Sequence, residues 1–189
     1  MSSHHIIREK QEPALFINNL GTFDLEYIGQ LLEWSPTVIV NSAVYDYMHT
    51  LSIKIDAVIG DSNILHTQEH TKLISKEGEL TTACLEYLLE NGYPSVNIID
   101  DDEFKPYKYR QFVNKIDVVI FNATKKIFPV RAGFSKWKPH GEYIYIMDSE
   151  DTIITEGLRS TSKNHFVTER DGFYSLKFSK DFIFIAEDL

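Results

Sequence analysis

The stretch KIDAVIGDSNI, residues 54 to 64, sets two carboxylates around a short apolar run: Asp56 opens it and Asp61 follows Ile59 and Gly60. Carboxylate oxygens delivered by a strand end are what Mg²⁺ uses when a few acids and the substrate's phosphates hold it. Asp61 is therefore the first candidate for a metal ligand and a phosphoryl-transfer residue, with Asp56 as a weaker companion. Turn chemistry alone favours the plainer reading, an Asp that caps a turn after Gly60. Asn63 stands where a second acid would complete a strong Mg²⁺ site, and it carries no charge.

Two other clusters could do chemistry. HTQEH, residues 66 to 70, has the H-x-x-E-H spacing that on a helix would align His66 and His70 as zinc ligands. Its polar surroundings offer neither an apolar stripe nor an obvious third ligand, so a solvated loop or short helix is expected. The acids Asp100, Asp101, Asp102 and Glu103 follow an apolar run and would attract a divalent cation, but charge runs of this size are usually solvated turns. No G-x-x-x-x-G-K-[ST] phosphate cradle, G-x-S-x-G elbow or G-x-G-x-x-G fingerprint occurs. The single cysteine, Cys84, sits in a periodic apolar segment and reads as a buried hydrophobe.

Of the 189 residues, 43% are hydrophobic and 13% aromatic, ample for a packed core. A formal charge of −9 argues against nucleic-acid binding, which relies on clustered Lys and Arg. No apolar run approaches the ~20 residues of a membrane helix. The amino terminus MSSHHIIREK lacks a secretory signal, and one cysteine suits a reducing compartment, so a cytoplasmic protein is expected.

The elements that must position these side chains alternate. Residues 14–18, 37–41, 56–60, 95–100 and 117–122 are short Val/Ile-rich runs that read as buried strands. Between them, residues 24–34 place Leu25, Ile28, Leu31 and Leu32 on one helical face. Leu80, Cys84, Tyr87 and Leu88 do the same in a helix stopped by Asn91-Gly92. Alternation of this kind predicts an α/β unit with a mostly parallel sheet and ligands beyond the carboxyl ends of its strands. After about residue 128 the runs alternate with a period of two, with Asp171-Gly172 as an expected hairpin turn, and an all-β unit follows. Residues 1–127 and 128–189 are the expected domains. Trp137 and Pro139, in GFSKWKPHG, are expected to anchor the junction.

IKIDAVIGDSNI, followed by GELTTACLEYLLENGYPSVNII, resembles thiamine pyrophosphokinase. EPALFINN looks like that family's first strand, VIVNSA its second, and FSKWKPHGEYIYIM the start of its β domain. The resemblance spans nearly the whole chain. It implies a Rossmann-like N-terminal α/β domain, a C-terminal β-sandwich and a homodimer with sites between subunits. It also implies transfer of pyrophosphate from Mg·ATP to thiamine.

The functional positions depart from that pattern. The family's acid at the end of the second strand falls on Asn41, and its acid-x-acid-Ser motif becomes Asp61-Ser62-Asn63-Ile64. Its Thr-Asp at the next helix, with a Lys soon after, falls on Glu79-Leu80 and Ala83. Its glycine-rich loop falls on DDDEFKPYKYRQ, where Lys105 or Lys108 could supply a basic contact to nucleotide. Ser162 and Asn164, separated by Lys163, stand nearest to its thiamine-contacting Ser-Asn pair. Loss of these acids should remove most of the rate, because phosphoryl-type transfer depends on positioning and on cations at the phosphate oxygens.

Three expectations result. The first is a catalytically degenerate protein of this type, serving as a binding or structural and regulatory dimer that needs no cofactor. The second is a working enzyme, either the same pyrophosphokinase using Mg²⁺ and ATP through a rearranged site built on Asp61, with Asp56, Glu79 or the acids at 100 to 103, or a related transferase acting on another alcohol. The third is a structural dimer whose former cleft is filled by Tyr45, Tyr47, Tyr107 and Tyr109.

Overall fold

The computed structural model describes residues 10, 12–60, 68–74, 78–148 and 152–189. It divides into two compact units, one ending at Val118 and the other running from Val119 to Leu189.

The first unit is a parallel sheet with helices in its connections. Its strands are β1 (Ala14–Asn19), β2 (Val38–Asn41), β3 (Ala57–Ile59), β4 (Lys72–Ile74) and β5 (Ser95–Asp100), side by side in the order β5-β1-β2-β3-β4. Four of the expected strands lie where the apolar runs put them. Leu15, Phe16, Ile17, Ile39, Val40, Val58 and Ile98 are all buried, as a sheet covered on both faces requires. Strand β4 departs from the expected loop or short helix. Its first two residues are exposed, so the sequence carries no apolar run there, and the strand exists through parallel pairing with β3.

The helices are α1 (Leu25–Leu32), α2 (Tyr45–Thr50) and α3 (Leu80–Glu90). Asp24 caps α1 by accepting a hydrogen bond from the Glu26 N–H at 2.9 Å. Ile28 is buried on α1, but Leu25 is exposed, so the apolar face is narrower than its spacing suggests. In α3 the buried face is Ala83, Cys84, Leu85 and Leu88, with Leu80 and Tyr87 at its margin. The helix ends at Asn91-Gly92: Gly92 has φ +73°, and the Tyr93 N–H returns to the Leu88 carbonyl at 3.0 Å.

Strand β6 (Asp117–Phe121) runs across the boundary. The second unit continues with β7 (Lys125–Arg131), β8 (Phe134–Lys138), β9 (Tyr143–Ile146), β10 (Ile154–Glu156), β11 (Leu158–Ser162), β12 (His165–Thr168), β13 (Gly172–Lys177) and β14 (Phe182–Asp188). One antiparallel sheet has the order β11-β12-β9-β14-β7-β6 and the other β10-β13-β8. Tyr174 and Leu176 of the smaller sheet pack with Val130, Ile144, Ile146, Leu158, Ile183 and Ile185 of the larger.

Two expectations are corrected here. Asp171-Gly172 does not close a hairpin, because β12 and β13 belong to different sheets; the Asp171 carboxylate instead accepts the His140 N–H at 2.8 Å. A tight hairpin lies instead between β11 and β12, where Ser162 pairs with His165 and Asn164 takes φ +62°. GFSKWKPHG is not a junction: it contains β8, well inside the second unit, and Trp137 is exposed there opposite Phe173.

No helix among the described residues is long and apolar enough to cross a membrane.

Candidate functional site

In a parallel sheet the side chains available to a ligand are those just beyond the strands' carboxyl ends. In the first unit these are Asn18 and Asn19 of β1, Asn41 of β2, Gly60 after β3 and Asp100 to Asp102 at the end of β5. Asp61, Ser62, Asn63 and Ile64, with His66, lie outside the described residues. Gly60, which precedes Asp61, is fixed by its surroundings. It has φ +127°, and a Cβ there would sit 2.5 Å from the Ser42 hydroxyl oxygen.

The described part of the edge is closed by its own hydrogen bonds. The Asn41 amide donates to the Asn18 carbonyl at 3.1 Å and to Asn18 Oδ1 at 3.2 Å. Its Oδ1 accepts the Ala43 N–H at 3.0 Å, capping the short 3-10 turn that follows. The Asn18 amide in turn donates to Asp100 Oδ2 at 3.1 Å. Beside this chain Asn19 donates to Asp102 at 2.7 Å, and the Asp101 carboxylate accepts the Thr22 N–H at 2.8 Å. Gly21, at φ +46°, allows that last approach, since a Cβ there would lie 2.0 Å from Asp101 Oδ2.

Asp100 is buried, and burial pushes its carboxyl up from the ordinary range by more than the Asn18 amide and the Asp102 N–H lower it. Tyr109, also buried, has its phenol pushed up by burial and by the charges of Asp100, Glu79 and Asp102. Its ring stacks on Phe104 with centroids 5.7 Å apart.

Glu79 and Lys108 are brought together although 29 positions separate them: Lys108 Nζ lies 2.9 Å from Glu79 Oε1. Glu79 also caps α3 by accepting the Thr82 N–H at 2.7 Å. Burial pushes the Glu79 carboxyl up, but the Lys108 ion pair and the Thr82 N–H outweigh it and hold it below the usual range. Burial likewise pulls the Lys108 ammonium down, and Glu79 and Asp100 outweigh that, holding it above its ordinary value. Lys105 is exposed before the 3-10 turn Pro106–Lys108 and only its carbonyl is engaged there, by the Lys108 N–H at 3.1 Å.

Asp56 is placed elsewhere. It lies just before β3, at the amino end of the strand, where its carboxylate accepts the Val38 N–H at 2.9 Å and Lys54 Nζ at 2.6 Å. It therefore does not join the residues at the carboxyl edge. Ser162 and Asn164 flank Lys163 at the β11–β12 hairpin, where Ser162 provides a carbonyl to the Ser160 hydroxyl at 3.2 Å. Of the four tyrosines expected to fill a cleft, Tyr45 and Tyr109 are buried, while Tyr47 and Tyr107 are exposed. Tyr45 Oη accepts the Gln68 N–H at 2.8 Å, and the Gln68 side chain bonds to backbone of Ile53 and Ile55, which ties down the segment before β4. Among the described residues His70 is paired with Glu69, at 3.6 Å, and both are exposed.

Among the described residues no group of three or more His, Cys, Asp or Glu is placed to hold a metal. Among the described residues the edge is a poor match for Mg²⁺: Asn41 is uncharged and turns its N–H groups to Asn18, and burial pushes the Asp100 carboxyl up. Asn18, Tyr109 and the Glu79–Lys108 pair are the residues the sequence reading did not assemble into one site. Asn18 ended an apolar run without charge or motif, and the other contacts depend on how the segment from 101 to 116 folds back.

No protein-family model matches the chain, nor does any curated protein. Solved structures do match. A thiamine pyrophosphokinase from Bacillus subtilis superposes with a TM-score of 0.64 at 11% identity, covering 93% of this chain and 98% of that one. A protein from Lactobacillus plantarum gives 0.66 at 8% identity, covering 93% and 98%. The thiamin pyrophosphokinase from Candida albicans gives 0.60 at 12% identity, covering 94% and 90%.

Proposed function

We propose, starting from the thiamine pyrophosphokinase fold that this chain has, that it is a non-catalytic protein of that type. In this reading the first unit is Rossmann-like, the second a β-sandwich, and the chain works in the cytoplasm as a binding or regulatory dimer. The observation that carries the proposal is Asn41. At the end of β2 its amide N–H groups donate to Asn18 and its oxygen accepts the Ala43 N–H, so this uncharged side chain offers a cation no ionised oxygen. Asp100, the buried acid across β1, accepts the Asn18 amide N–H, and burial pushes its carboxyl up, which weakens it as a ligand for a phosphate-bridging metal. Lys108, which feels the charge of Asp100, is paired with Glu79. A transfer that depends on cations neutralising a triphosphate would lose most of its rate on such an edge.

The test is a thiamine diphosphate assay on purified protein with MgCl₂, ATP and thiamine. No product above the protein-free blank is expected. Product that depends on both Mg²⁺ and ATP would overturn the proposal and favour the enzyme with a rearranged site at Asp61. Sedimentation equilibrium should give twice the chain mass, and a monomer would remove the dimer from the proposal.

A further inference from the structure

The second unit contains a half-buried group of charges assembled from strands far apart in sequence. Glu187 of β14 is buried at its centre. Lys136 Nζ of β8 donates to its two oxygens at 2.6 and 2.9 Å, Lys138 Nζ lies 3.2 Å from Oε2, and the Tyr174 hydroxyl donates to Oε1 at 3.2 Å. A carboxylate offers about four lone-pair positions, and here all of them are used.

Lys126 is the third cation. It stands directly opposite Glu187 in the β7–β14 ladder, so the two side chains emerge on the same face of the sheet. Yet no ion pair of Lys126 occurs among the described residues. Its amine lies over the rings of Phe121 and Phe128, 5.9 and 5.8 Å from their centroids, and Lys136 lies 5.4 Å from the centroid of the same Phe128 ring. Among the described residues the only other acid bonded to the trio is Glu142, 3.4 Å from Lys138. Among the described residues three ammoniums thus face two carboxylates, in a chain whose formal charge is −9. Burial, and the charges of Lys136 and Lys138, pull the Lys126 ammonium below its ordinary value despite Glu187. The group reaches solvent through Lys136, whose side chain is 37% exposed.

We propose that Lys126, Lys136 and Lys138 form a site for a phosphate-type oxyanion, free phosphate or pyrophosphate, in the second unit. An anion there would take the hydrogen bonds that Glu187 can no longer accept and balance the surplus cation. Ammoniums act as point charges with rotatable donors and suit a tetrahedral, doubly charged oxyanion. A planar monocarboxylate is better held by the fork of an arginine, and the trio includes none. This site does not rest on the proposal for the first unit.

The experiment is isothermal titration of the full chain with inorganic phosphate, pyrophosphate and acetate at fixed ionic strength, repeated on Lys126→Met and Lys126→Arg. Saturable binding of phosphate or pyrophosphate is expected, weakened at least about tenfold in Lys126→Met and retained in Lys126→Arg, with acetate not competing. The ratio of the phosphate and pyrophosphate affinities tells which of the two the site takes. If Lys126→Met does not fold, acetylation of Lys126 in the unmodified chain, followed by mass spectrometry, replaces it; pyrophosphate should slow that labelling but not the labelling of exposed Lys177. Absence of saturable binding, equal affinity in Lys126→Met, equal binding of acetate, or unprotected Lys126 would each overturn the proposal.

Discussion

Replacing Glu187 by glutamine keeps the size of the side chain and removes one negative charge from the centre of the lysine group. Its side chain is only 4% exposed, and it accepts from Lys136, Lys138 and Tyr174. Removing one member of a buried ion pair typically costs about 3–5 kcal/mol, because the partner is left charged and desolvated. Lys136 is 37% exposed and recovers part of its hydration, so the expected loss is smaller, about 2–3 kcal/mol. For a chain of this length that corresponds to a fall in Tm of roughly 5–10 °C. The loss should depend on pH. Burial pushes the Glu187 carboxyl up, but the hydrogen bonds and charges of Lys136 and Lys138 outweigh it, leaving the folded value below the usual one. Glu187 therefore stabilises fully above the unfolded value of about 4.3 and loses that contribution as the pH falls through the lower folded value. Urea denaturation from pH 7 down to pH 3 should show the two proteins converging in acid. A further Lys126→Met substitution should return part of the loss by removing one uncompensated cation. A Glu187→Gln protein within about 0.5 kcal/mol of the parent at pH 7 would refute the view that this carboxylate holds the lysines together.

Asp100→Asn should behave in the opposite sense. Burial raises the Asp100 carboxyl, so its contribution is complete below the unfolded value of about 3.9 and is lost as the pH rises through the folded value. The Asn variant should therefore gain on the parent between pH 4 and pH 8 in the same denaturation assay, and a gap that stays constant with pH would count against this. Glu79→Ala removes the cap of α3 and the partner of Lys108 at once; a loss of about 1–2 kcal/mol is expected, with Glu79→Asp recovering part of it by chemical denaturation.

The chain's own pattern determined a good deal. Short continuous Val/Ile-rich runs suit strands buried on both faces, and β1, β2, β3 and β5 stand where those runs stand. Asn91-Gly92 stops α3 because a glycine takes the left-handed conformation without strain. Strand β4 escaped, since an edge strand with two exposed residues out of three has no local signature. Asp171-Gly172 misled for a related reason. The dipeptide favours a tight turn, but whether the flanking strands pair with each other or join different sheets is settled by the rest of the unit.

The same division holds for the site. Residue types could nominate Asp61 and Asp56 from one short stretch, but direction along a strand put Asp56 at the amino end, away from the edge where ligands gather. Periodicity and motifs report what neighbours in sequence can do, and through them the sequence determined the strands, the helix ends and the uncharged side chains at Asn41 and Asn63. Which distant groups meet depends on chain closure, and that only the tertiary structure decided. It joined Asn18 to Asp100 and Glu79 to Lys108, and it set one buried glutamate among lysines from two other strands, where low dielectric makes each missing or surplus charge count.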